Sequence, residues 1–253
     1  MELSKQTVLI TGASRGLGAA LATAFAKEGA NVIVNYYKSK EKAEDLAKSL
    51  GENAIAIQAD VRDKDQVNEM VAKAKGYFHT PITTIINNAL IDFQFNPVTQ
   101  KNVFELEWEK FNTQFEGSIK GALNTVQACV VDMKEQGYGR IINIGTNLVQ
   151  NPVVAYHEYT TAKAALLGFT RNLAKELGQY GITVNMISGG LLKQTDASSV
   201  TTKEVFGIIE STTPLQKATT PEEFADTALF FASPWARAVT GQNLVVDGGL
   251  VMD

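Results

Sequence analysis

The stretch TVLITGASRGLG at positions 7–18 decides how the rest of the chain is read. Its first four residues are a continuous apolar run, not an alternating one, which suits a strand buried on both faces of a parallel sheet. Gly12, Gly16 and Gly18 follow at once, and they open GLGAALATAFAKEGA, a segment of helically spaced apolar residues that ends near a glycine. Glycine permits a tight turn and close backbone approach, and a helix start offers unpaired N–H groups to a pyrophosphate. A glycine triplet alone says little. Set between a strand and a helix, it predicts a dinucleotide-phosphate turn.

Outward from that turn the same alternation recurs. Short Val- and Ile-rich runs stand at 32–35 (VIVN), 54–57 (AIAI), 83–87 (TTIIN), 140–144 (RIINI), 182–187 (ITVNMI) and 243–246 (NLVV). Helical patterns lie between them, as in SKEKAEDLAKSLG at 39–51. The expected fold class is therefore α/β: a single-domain Rossmann fold over 1–253, with a doubly wound, mostly parallel sheet of about seven strands and helices on both faces. Two irregular stretches, 90–107 and 188–220, follow strand ends, with TTKEVFGIIEST at 201–212 expected to be helical. Long loops in a compact domain are usually functional, and ligand crevices of open parallel sheets lie at the strands' carboxyl ends. These are the expected substrate loops.

Composition narrows the function class. Hydrophobic residues make up 45% and charged residues 20%, which excludes a disordered or collagen-like chain. The net charge of -4 supplies no basic stripe and argues against nucleic acid or an anionic membrane as main partner. Cys129 is the sole cysteine and His79 and His157 the sole histidines, so no disulfide and no metal site are expected. Cys129 sits in an apolar helical run as a small core residue, and His157 reads as an exposed turn residue, with contact to substrate as the alternative. The start MELSKQTVLITG carries no cleavable signal and no run is long enough to span a membrane, so the expected location is the cytoplasm.

The second strand speaks to the cofactor. An NAD site wants a carboxylate about 20 residues past the glycine turn, to hold the ribose 2′-hydroxyl. The run here ends in Asn35, Tyr36 and Tyr37 with no carboxylate, while Arg15 lies in the turn and Lys38 is nearby. Cations without a carboxylate favour a 2′-phosphate, hence NADP(H).

Together, TGASRGLG at 11–18, AD at 59–60, NNA at 87–89, Tyr159 with Lys163, and TGQNLVVDGG at 240–249 resemble the short-chain dehydrogenase/reductase family over nearly the whole chain. Within the family, the chain resembles bacterial 3-oxoacyl-(acyl carrier protein) reductase-like members. The resemblance implies a cofactor held by Gly12, Ser14, Arg15, Gly16, Leu17, Gly18, Tyr36, Asp60, Val61, Asn88, Ala89, Tyr159, Lys163 and Gly189. Asp60 and Val61 would flank the adenine, although Asp60 could instead cap the helix DKDQVNEMV. A homotetramer is implied as well, built on long-helix and C-terminal contacts.

YHEYTTAK at 156–163 holds two candidate tyrosines. Residues four apart share a helix face, so a helix beginning near Tyr159 would set Tyr159 beside Lys163. The ammonium should lower the phenol's pKa and make Tyr159 a general acid for ketone reduction. Tyr156, seven residues before Lys163, matches the spacing in enoyl-thioester reductases, yet the glycine turn looks like that of the ketone-reducing type. Tyr159 is preferred, with Tyr156 packing against substrate or standing at the cleft rim. Thr146 stands where the family has a serine that holds the substrate oxygen.

Three departures are visible. Leu90 replaces a glycine and could shift the backbone, Ser118 replaces the family's active-site asparagine, and Ser188-Gly189 replaces Pro-Gly. Phe93, Phe95 and Phe104 could line an apolar substrate wall or a subunit contact, and Trp235 could serve packing or a subunit contact. The expected reaction is NADPH-dependent reduction of a ketone, with a 3-oxoacyl thioester on acyl carrier protein or CoA as the expected substrate. Enoyl reduction and a nucleotide-binding protein without turnover are the alternatives.

Overall fold

In the computed structural model, which describes residues 1–92, 96, 100–193, 195 and 201–252, seven strands form one sheet. They are β1 Thr7–Ile10, β2 Asn31–Tyr36, β3 Ala54–Gln58, β4 Thr84–Asn87, β5 Gly139–Thr146, β6 Ile182–Gly189 and β7 Asn243–Val246. Their order is β3-β2-β1-β4-β5-β6-β7, and every pairing is parallel. Val8 pairs with Val32 of β2 on one side and Thr84 of β4 on the other, so the winding reverses at β1. The crevice for a ligand opens at such a reversal. The sequence expectation of a doubly wound α/β sheet agrees with this arrangement.

Helices α1 Gly16–Lys27, α2 Lys40–Leu50, α3 Lys64–Phe78, α4 Trp108–Phe115, α5 Gly121–Gln136, α6 His157–Leu177, α7 Lys203–Thr212 and α8 Pro221–Ala232 cover the sheet. One core layer joins Val8, Ile10, Val32 and Val34 to Leu21 and Phe25 of α1 and Phe224 and Phe231 of α8. The opposite layer joins Leu9, Ile33, Ile85 and Ile141 to Met70 of α3, Met133 of α5 and Leu173 of α6. Adjacent strand residues point to opposite faces, which is why both Leu9 and Ile10 are buried and the strand runs read as continuous. Cys129 belongs to the second layer, and burial pushes its thiol up to about 12, the behaviour of an inert core residue.

Local details depart from the expectations. The N-cap of α3 is Asp63, whose carboxylate accepts from the N–H groups of Asp65 and Gln66; Asp60 does not cap it. Helix α6 starts at His157, so that histidine is a half-buried first-turn residue and not a turn residue. Helix α7 forms where expected, whereas Phe93 and Phe95 lie outside the described residues. Phe104 and Trp235 are both exposed. Leu90 takes no left-handed backbone; the positive φ nearby, 43°, belongs to Asp92. The residue that replaced a glycine therefore brings no strain of that kind.

Between α4 and α5, residues Glu116–Lys120 form a π-helical turn, where the N–H of Gly121 donates to the carbonyl of Glu116, five residues back. A π turn in a continuous helix commonly marks a functional position. It carries Ser118 on the side of the sheet that holds α6.

Candidate active site

The glycine turn is built for close approach. Gly12 and Gly16 have φ of 62° and 54°, the left-handed region that side chains avoid. A Cβ on Gly18 would lie 2.4 Å from the Gly12 carbonyl oxygen. Asn35 braces the turn from below: its Oδ1 accepts from the Gly12 N–H at 3.2 Å, and its Nδ2 donates to the Ala59 carbonyl at 3.1 Å. Thr11 clips β1 to β4, its hydroxyl accepting from the N–H groups of Asn88 and Ala89 at 2.9 and 3.0 Å. Asn88 returns the bond, donating Nδ2 to the carbonyls of Thr11 and Gly12. The first N–H groups of α1, from Gly16, Leu17 and Gly18, then face the crevice without helical partners. This cradle fits a pyrophosphate.

At the end of β2, Asn35 and Tyr36 are buried, so the side chains that reach the surface there are Tyr37 and Lys38. Tyr36 packs in the first core layer, and its carbonyl accepts from the Ala59 N–H at 2.9 Å. Asp60 follows β3 and is held by Arg62: Nη2 donates to Oδ2 at 2.7 Å, Nε to Oδ1 at 3.0 Å, and the Arg62 backbone N–H to Oδ1 at 3.0 Å. These bonds keep the Asp60 carboxyl below its ordinary range. Sequence reading missed Arg62; the only available signal was a cation two residues after Asp60. Val61 packs under the π turn, where a Cβ on Gly121 would meet its Cγ2 at 2.9 Å.

The tyrosine and lysine come from the first two turns of α6. Lys163 is buried, and its ammonium donates to the carbonyl of Ile144 in β5 at 2.7 Å. It stands 5.8 Å from the centre of the Tyr159 ring. A side-chain hydrogen bond joins Tyr159 to Thr146, the last residue of β5. The expected fall in the tyrosine's pKa is not found. Burial pushes Tyr159 up to about 12, and the Thr146 hydrogen bond offsets only part of that. Burial likewise depresses Lys163, to about 8. The physical reason is desolvation: each group is buried, and the ammonium donates to a main-chain carbonyl. A neutral buried phenol is a proton donor, and when its bond to the threonine hydroxyl is exchanged for one to a ligand, two O–H groups can turn to a single acceptor.

Ser118 and Lys163 line one cavity of about 10 Å³ with Thr11, Asn87, Ala89 and Gly117. That is room for roughly one water among polar walls. A larger groove of about 490 Å³ runs along the β3 edge beside Gln58, Gln66 and Lys73, away from α6. Tyr156 is the N-cap of α6 and is itself buried, which differs from a place at the cleft rim.

The far wall is made by strand ends. Asn147, next to Thr146, donates its Nδ2 to Asp247 Oδ2 at 2.9 Å. Asp247 also accepts from the N–H groups of Gly249 and Val251, pinning the C-terminal turn. Gly189 and Gly190 pass beneath: a Cβ on Gly190 would meet Asn147 Nδ2 at 3.1 Å, and one on Gly189 would meet the Phe224 ring at 2.9 Å. Beyond them Thr195 comes back over the glycine turn, 3.6 Å from where a Cβ of Gly16 would sit. Thr195 was not expected, because the loop's length hides which of its residues returns.

A family model described as enoyl-(acyl carrier protein) reductase matches residues 12–251. The chain belongs to the short-chain dehydrogenase/reductase family. The 3-oxoacyl-[acyl-carrier-protein] reductase of Staphylococcus aureus is 36% identical, with 100% of both chains covered. The L-rhamnose 1-dehydrogenase (NAD(P)(+)) of Azotobacter vinelandii is 34% identical, over 100% of this chain and 99% of its own. Among solved structures, the 3-oxoacyl-[acyl-carrier protein] reductase of Brucella melitensis superposes with a TM-score of 0.89 at 30% identity, covering 100% of this chain and 93% of that one. Family membership makes the protein an oxidoreductase with a nicotinamide cofactor. Among the described residues no helix is long and apolar enough to cross a membrane.

Proposed function

We propose that the protein reduces a ketone to a secondary alcohol with NADPH, and that its substrate is a 3-oxoacyl thioester carried by acyl carrier protein or CoA. The observation that carries this reading is the meeting of Tyr159, Thr146 and Lys163 at the end of β5, on the crevice side of the glycine turn. The names of relatives at about a third identity support it.

When bound, the nicotinamide supplies hydride to the carbonyl carbon. The protein supplies the rest. Thr146 donates a hydrogen bond to the substrate oxygen, and Tyr159 gives that oxygen its proton as alkoxide charge develops. The phenolate left behind is stabilised by the Lys163 ammonium, the nearest cation to the ring. Ser118 and the small cavity beside Lys163 give a water a place from which the pair is reprotonated. Burial raises the cost of charge on Tyr159, so its proton leaves only when the alkoxide is there to take it.

The description of the family model favours a second reading, reduction of a 2-enoyl thioester with Tyr156 as donor. The Thr146 hydrogen bond to Tyr159 argues for the ketone. Reduced-nicotinamide absorbance, followed with a 3-oxoacyl thioester beside its 2-enoyl counterpart, separates the two. Tyr159→Phe should keep cofactor affinity and lose at least ~100-fold in ketone turnover, the usual scale for general acid catalysis. Enoyl turnover lost only in Tyr156→Phe would overturn the proposal, and tight NADPH binding with no turnover would point to a binding protein. For the cofactor, Arg15→Ala should raise the KM for NADPH far more than that for NADH. The reading includes a cytoplasmic homotetramer, in which exposed Val131 of α5 and Trp235 and Leu244 near the C terminus would be covered. Light scattering tests that assembly.

A further inference from the structure

Asp60 raises an electrostatic difficulty for any cofactor phosphorylated on its adenosine ribose. A carboxylate at the end of β3 lies beside the end of β2, where the ribose 2′ position is read in this kind of fold. Bare, it would repel a 2′-phosphate. The structure does not leave it bare. Arg62 grips both carboxylate oxygens, at 2.7 to 3.1 Å, and its own backbone N–H adds a third donor. Lys120, in the π turn, acts electrostatically on Asp60, and Asp92 acts likewise on Arg62.

The same guanidinium faces the exposed ring of Tyr37, 5.8 Å from its centre, and the Lys38 ammonium approaches that ring at 5.4 Å. Tyr37 is fixed in turn, its carbonyl accepting from Gln58 Nε2 at 2.9 Å. Asp60 is thus turned inward and neutralised, and two cations are held around one aromatic side chain at the end of β2. A bidentate arginine suits this task better than lysine, because its planar fork fixes direction as well as charge.

We propose that Arg62 is a specificity-determining residue for the cofactor: by masking Asp60 and standing over Tyr37, it turns the adenosine end of the crevice into a site for a 2′-phosphate. This rests on the NADP(H) reading and extends it to a residue outside the glycine turn. The experiment is calorimetric binding of 2′,5′-ADP and 5′-AMP, which differ only in that phosphate and need no turnover. Wild type should prefer 2′,5′-ADP. Arg62→Ala should cut that preference about tenfold, the scale expected for uncovering one charge near a partly screened site. Arg62→Gln should behave alike, and adding Asp60→Asn to Arg62→Ala should restore part of the preference, because the repelling carboxylate is then gone. Equal weakening of both ligands in Arg62→Ala, or a preference that survives it, would overturn the inference alone. Wild type binding both ligands equally would overturn the NADP(H) reading and this inference with it.

Discussion

Lys163 is a cation kept where a cation is costly, and that gives the protein a pH signature. Its folded pKa is about 8, below the ordinary 10.5. Below about pH 8 both the folded and the unfolded chain hold the proton, so the burial cost is fully present. Between about pH 8 and 10.5 the unfolded chain binds more protons, so stability rises with pH. Tyr159 acts in the opposite sense, but only above its unfolded value of 10, where the unfolded phenol starts to ionise first. Urea unfolding should therefore show wild type gaining roughly 2 kcal/mol from about pH 8 to 9.5, with Lys163→Met showing no such gain. Catalysis should move the other way: kcat/KM for reduction falls above about pH 8, as the ammonium needed beside the phenolate is lost. A second residue-scale test concerns Asn147. Asn147→Asp would set two carboxylates in the place of one amide–carboxylate bond, so its melting temperature should drop at pH 8 and largely recover at pH 5, where the pair shares a proton. Melting independent of pH would show that the two side chains do not meet.

Helix ends were the least legible features, for a reason that can be named. DVRD at 60–63 offers two aspartates ahead of α3, Asp60 and Asp63, each chemically able to cap it. What decides is backbone direction after β3: the chain needs Asp60 to anchor Arg62 before it turns into the helix, so the cap falls to Asp63. Asp63→Ala should cost about 1 kcal/mol, read as a lower urea midpoint with an unchanged slope. Asp60→Ala should leave α3's cap intact and show itself in nucleotide binding. The four-residue pairing of Tyr159 with Lys163, by contrast, needed only helical geometry to foresee. Its electrostatics did not follow, because proximity in a helix says nothing about which acceptor the ammonium chooses.

At the scale of the whole molecule, the apolar runs were enough for the parallel sheet, since the inner strands β1, β4, β5 and β6 are buried throughout and betray themselves without reference to their neighbours. The polar interior was invisible by the same logic. Asn87 Nδ2 donates to Asn143 Oδ1 at 2.8 Å, Thr125 donates to Asn87 Oδ1 at 2.7 Å, and Asn143 Nδ2 donates to Thr170 at 2.8 Å. This chain runs from α5 through β4 and β5 to α6, joining residues that share no local pattern. It lies under the cavity beside Lys163 and locks the two central strands to the helices on that face. Asn87→Leu should destabilise the fold by about 2–4 kcal/mol, because Asn143 and Thr125 would each lose a buried partner. A loss under about 0.5 kcal/mol, measured by urea unfolding, would show the network to be dispensable.

The π turn at Glu116–Lys120 can also be seen as one residue too many. An α-helix advances about 100° per residue, so removing a single residue there would let α4 and α5 fuse into a regular helix while swinging one about the other by that angle. Gln114, whose Nε2 now donates to the Ile91 carbonyl at 2.8 Å, would be carried away from the segment after β4 that it steadies, and Trp108 with it. The irregular turn thus works as a phase shift: it lets one continuous rod aim Gln114 of α4 at the Ile91 carbonyl while Asn124 and Thr125 of α5 reach Val61 and Asn87, a pairing of directions set by the extra residue between them.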